Sequence, residues 1–208
     1  MTGGVSRGGA SGPAASPCAA PVRRYGPSVG EPPLLADPRR WGSLIGLAGG
    51  MVFVGSYAAV LGPVASTVAW VAGLLLVVVA LYAHYVRPVA LGPLARPRPL
   101  ALATYGACVV GELALISVGS RALAAAGQGE LRPALIAAAV GLHFLPFAWA
   151  FGEPMFCYLG GAVAVLGGAG LLAGSLGVEH AAEALTVVAG LAMLTIITLY
   201  ALGRFAPP

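Results

Sequence analysis

A bundle of six membrane-spanning helices, with both termini in the cytoplasm, is the all-α fold class this sequence predicts. Three observations predict it. Of the 208 residues, 59% are hydrophobic and 9% are charged, which leaves too little polar surface to cover a soluble core. From Trp41 onward, long apolar runs alternate with short breaks, and each run reaches the roughly 20 residues needed to cross about 30 Å of hydrocarbon. The arginines crowd at every second break, as they do on the cytoplasmic side of a membrane.

Residues 1–40 come first. They repeat Gly and Pro, hold few apolar side chains and show no periodicity, so ordering them would cost more entropy than burial returns. A disordered cytoplasmic tail is expected there, followed by a transmembrane domain over 41–208. No cleavable signal peptide is expected, because the first apolar run begins near Trp41 and is long enough to span.

The six spans are predicted at 41–62, 64–86, 99–121, 132–151, 155–176 and 181–204. Backbone breakers mark the joints. Gly62-Pro63 separates spans 1 and 2, the stretch from Arg87-Pro88 to Pro99 forms the second loop, and Gly127-Gln128-Gly129 lies in the third. Gly152-Glu153-Pro154 makes the fourth and Gly177 opens the fifth.

Orientation follows from the basic residues. Arg23, Arg24, Arg39 and Arg40 precede span 1, Arg87, Arg96 and Arg98 fill the second loop and Arg204 ends span 6, whereas the opposite side holds Arg121 and Arg132. Positive charge is retained inside, so both termini are expected in the cytoplasm and the protein in the plasma membrane. The net charge of +4 thus reports topology, and no nucleic-acid partner is expected. The three cysteines, Cys18, Cys108 and Cys157, form no CxxC and imply neither a disulfide framework nor a zinc site.

Small residues recur at four-residue spacing in span 1 (Gly42, Gly46, Gly50) and span 5 (Gly160, Ala164, Gly168). Such runs let helix backbones approach closely in lipid, which makes spans 1 and 5 packing helices and candidate contacts for a second copy or a partner subunit. VAGLLLVVVALY at 71–82 echoes VAGLAMLTIITLY at 188–200, consistent with a hairpin repeat of spans 1-2 and 5-6 around a different hairpin, 3-4.

That odd hairpin carries ionisable residues deep in the membrane. Glu112 and His143 fall near the middle of spans 3 and 4, where a charge costs at least about 2.5–3.5 kcal/mol and marks a candidate working site. At 1.5 Å per residue the two lie about 8 Å apart along the membrane normal. Side chains lean toward the N-terminus of their own helix, so in antiparallel spans these two lean toward each other, and a direct or water-bridged pair that binds a proton or acts as a general acid is expected. Tyr105 and Cys108 share the face of Glu112, at spacings of seven and four, and are weaker substrate-binding candidates. The plainer alternative is that Glu112 and His143 satisfy each other and set helix register.

Elsewhere the polar residues read as ordinary. Glu153 before Pro154 suits a helix start, His84 suits an interfacial side chain, and Glu179, His180 and Glu183 suit the first turn of span 6. No metal or cofactor is expected, and no P-loop, HExxH, GxSxG or dinucleotide fingerprint occurs. The segment Gly141-Leu142-His143-Phe144-Leu145-Pro146 resembles a GLHFLP motif of small, actinobacterial-like, six-helix integral membrane proteins. The resemblance implies a membrane fold and adds weight to His143 and Pro146, and no activity is carried over with it.

Three function classes fit these residues. One is transport or permeation of a proton, ion or small solute through a midplane Glu/His site. Another is an intramembrane enzyme acting on a lipid or isoprenoid, in the manner of membrane terpene cyclases, with Glu112 as general acid. The last is an accessory or assembly subunit packed through its Gly-rich helices.

Overall fold

A computed structural model describes residues 37–88 and 99–205; most of the N-terminal tail and the greater part of the second loop lie outside them. Helix α1 (Pro38–Tyr57) runs on through a 3₁₀ turn (Ala58–Leu61) into α2 (Pro63–Leu81), which ends in a π-helical turn (Tyr82–Val86). Then follow α3 (Pro99–Ala125), a 3₁₀ turn (Gly129–Leu131), α4 (Arg132–Phe151), α5 (Met155–Ser175) and α6 (Ala181–Ala201). The described residues hold six helical segments long and apolar enough to cross a membrane, and the chain is an all-helical multi-pass membrane protein.

The joints fall where breakers predict them, and three helix ends differ. Helix α1 starts at Pro38, because Asp37 caps it: the Asp37 carboxylate accepts from the Arg39 backbone N–H at 2.9 Å, with Pro38 in the first turn. Helix α3 continues past Arg121 to Ala125. A charged side chain at a membrane edge reaches water without ending the helix, and the alanines after it favour continuation. Gly127, at φ 71°, then stops α3 with paired bonds from Gln128 N–H to Leu123 O and from Gly127 N–H to Ala124 O. Gly203 stops α6 before residue 204 by the same pattern, with Arg204 N–H to Leu199 O and Gly203 N–H to Tyr200 O.

Helix α6 is the axis of the bundle. It packs against α1, α2, α4 and α5, and 56% of its most apolar window is buried inside the protein, against 6% for α3. Leu159, Val163, Met193, Leu194 and Ile197 form the centre of the core. The echo segments touch, since the Thr198 hydroxyl in α6 donates to Leu76 O in α2 at 3.1 Å. Helix α3 stands at the edge, packed against α4 and the 3₁₀ turn Gly129–Leu131.

The small residues set two close helix contacts, with a corrected register. In α1, Gly46 and Gly50 face Ile197 and Leu194 of α6, while Gly42 faces open space. Across the same contact, a Cβ on Gly190 would stand 2.7 Å from Gly50 O. In α5, Gly160 lies against Gly141 O of α4, where a Cβ would stand 2.7 Å away, and the Ala164 backbone lies against Gly141, but the third contact is Gly167, against the Ala138 backbone, and Gly168 is open. A strict four-residue spacing drifts off a contact line on a helix of 3.6 residues per turn, so the row runs Gly160, Ala164, Gly167 and shifts only at its third position.

Candidate functional site

Glu112 is in the middle of α3 and His143 in the middle of α4, and Glu112 Oε2 lies 3.0 Å from His143 Nδ1. The two side chains are 19% and 10% exposed. The approach is out of line for a hydrogen bond, and Nδ1 keeps no aligned partner, although it is buried.

Beside the pair lies an open groove of about 180 Å³. Cys108, Gly111 and Leu115 of α3 and Ala139 and Leu142 of α4 line the rest of it. Pro146 removes the N–H that a regular helix would offer to the Leu142 carbonyl, so the groove wall carries a weakened stretch of backbone. Cys108 therefore joins Glu112 and His143 in one site. Tyr105 does not line the groove: it stacks on Phe147 at 5.3 Å, and the Phe147 ring in turn meets His143 at 4.6 Å.

An aromatic cluster that the sequence reading does not single out stands behind the pair, although Phe144, Phe147 and Phe151 share one face of α4 at spacings of three and four. Phe144, Phe147 and Phe151 of α4 gather with Phe156 of α5, and the edge of Phe144 meets His143 at 5.1 Å. The spacing of the three α4 phenylalanines is the sequence signal for it; that Phe156 of α5 joins them is decided by the packing of α4 on α5.

A second polar cluster stands at the N-terminal end of α1. Asp37, Arg40 and His84 are all buried, His84 to 1% exposure, where an interfacial histidine reaching for water is expected. Arg40 donates to the His84 carbonyl and its Nη1 lies 3.4 Å from His84 Nδ1. Arg39 pairs with Asp37 at 3.0 Å, and the His84 ring packs edge-on to Tyr85 and Tyr200. The π-helical turn makes room for this, with Arg87 N–H bonding Tyr82 O, five residues back. Asp37-Pro38 is the readable signal, since an N-cap followed by Pro carries Arg40 into the helix; the π turn has none.

The other polar candidates stay apart. Glu179 and His180 are exposed and Glu183 is half-buried, with His180 at φ 57° preceding α6. Among the described residues, no three His, Cys, Asp or Glu side chains are grouped to hold a metal ion.

Compared with models of protein families, with characterised proteins and with solved structures, the chain matches none.

Proposed function

We propose that this membrane protein belongs to the transport or permeation class and that Glu112 and His143 are its working pair, binding a proton, an ion or a small solute at the middle of the bilayer. The 3.0 Å approach of the two groups at the centre of their spans is the observation that carries this. Ionisable residues at that depth cost several kcal/mol and are kept where they do work. The position of α3 lends support: with α4 as its main helix neighbour, it is the span least held by the bundle, and transport needs one element to move about a site. Arg39, Arg40, Arg87 and Arg204 gather toward one end of the bundle, Arg121 and Arg132 toward the other, which favours cytoplasmic termini and a plasma-membrane setting.

Acid catalysis on a lipid or isoprenoid is the second reading, favoured by the groove's position on the flank of the bundle between α3 and α4 and by the phenylalanines behind His143. An accessory role has less support, because Gly46, Gly50 and Gly160 serve contacts within the chain.

Infrared difference spectroscopy of the protein in lipid, from about pH 4 to 9 so as to cover ordinary carboxyl and imidazole titration, tests the pair. A carboxyl band that changes with pH, is lost in Glu112→Gln and moves in His143→Ala is expected. A band that never responds, with both variants losing only thermal stability, would leave the pair a structural fastening.

A further inference from the structure

We infer that the groove between α3 and α4 binds the head of a hydroxyl-bearing amphiphile, a fatty or isoprenoid alcohol, which arrives through the hydrocarbon of the bilayer. This rests on Glu112 and His143 being working groups and names what they work on.

The direction of approach comes from where the groove opens. Its walls are the middle turns of α3 and α4. Glu112 sits near the centre of a 27-residue helix, about 20 Å from either end at 1.5 Å per residue. Gly111, Leu115 and Leu142 at its rim are exposed, and what faces the middle of a span is acyl chain. A ligand reaches the pair sideways.

The head group comes from the polar complement. The His143 side chain is nine-tenths buried, and its Nδ1, although 3.0 Å from Glu112 Oε2, makes no aligned hydrogen bond; both groups border the same groove. A carboxylate accepts, and an imidazole donates at one nitrogen and accepts at the other. A hydroxyl donates and accepts at once, so by entering between Glu112 and His143 it satisfies both groups. A ketone or ester only accepts, and a charged head pays the full cost of the bilayer centre.

The walls complete the match. Ala139 is small, and a Cβ placed on Gly111 would meet no atom within 4 Å. The volume of about 180 Å³ exceeds the roughly 150 Å³ of an engineered cavity that holds benzene. The groove thus takes the hydroxyl and the first few carbons, and the remaining tail lies along exposed α3 in lipid.

The test is photolabelling of the full chain in liposomes with a long-chain alcohol bearing a diazirine near its head, beside the matched alkane and methyl ketone. The alcohol should label residues around Cys108 and Leu142 saturably. Gly111→Leu, whose Cβ would meet no atom within 4 Å, should weaken this labelling by about tenfold by occupying the groove, as should Glu112→Ala by removing the group that accepts from the hydroxyl. Unchanged thermal unfolding of Gly111→Leu is the control for folding. Equal, non-saturable labelling by alcohol and alkane, like that of lipid-facing Val68 and Val78, would overturn the site, and equal labelling by ketone and alcohol would overturn the hydroxyl assignment. Saturable labelling with a Glu112 infrared band that ignores pH would sink the proton-binding reading and leave the groove standing. A responsive band with non-saturable labelling would do the reverse.

Discussion

Glu112 Oε2 and His143 Nδ1 meet at 3.0 Å across the contact of α3 with α4, its main helix neighbour among the described residues. Joining the two groups therefore also fastens the outermost span to the bundle, so loss of either group bears on both the site and the position of α3.

A double-mutant cycle on Glu112→Gln and His143→Ala should return a coupling of about 1 kcal/mol in thermal or denaturant unfolding in detergent, the size usual for polar contacts between membrane helices. Additive effects would mean that the two groups do not interact in the folded protein.

Alanine at Gly160 or Gly167 in α5 should destabilise by about 2 kcal/mol, since the new methyl group meets α4 backbone. The same substitution at Gly161 or Gly168, which face open space, should be neutral or stabilise by at most about 1 kcal/mol through helix propensity. Unfolding of the four single variants checks the corrected register, and a costly Gly168→Ala would contradict it.

Asp37 has two tasks, capping α1 and pairing with Arg39. Asn at this position keeps the cap and loses the charge, whereas Ala loses both. Asp37→Ala should thus be less stable than Asp37→Asn by about 1 kcal/mol. Arg40→Ala should cost more than either, about 3 kcal/mol or above, because it strips a buried charge network and leaves the His84 carbonyl without its donor. Equal stabilities across the three variants would show that α1 starts elsewhere.

Cys108 borders the groove and is half-buried, while Cys157 is buried in the core. In a Cys18→Ser background in liposomes, a lipid-soluble thiol reagent should modify Cys108 about tenfold faster than Cys157, and Gly111→Leu should slow it, because reaction follows access. Faster modification by a membrane-impermeant reagent would place the groove in contact with water and favour an aqueous path to Glu112.

The 3.0 Å contact of Glu112 with His143 comes from the structure; sequence alone determined the spans and most of their joints, and it brought these two residues within reach of each other. These are local properties: hydropathy over about 20 residues, backbone conformation at Gly62-Pro63 or Gly152-Glu153-Pro154 and the fixed rise and side-chain lean of a helix. Tertiary structure alone decided that α6 is the axis and α3 the edge, that Gly167 and not Gly168 meets α4, that Tyr105 stacks on Phe147 away from the groove, and that Arg40 reaches His84. In water an amphipathic stripe tells which side of a helix is buried. Within a bilayer, lipid is as apolar as the protein interior, so α3 and α6 read alike in sequence and only close backbone packing separates the central helix from the outer one.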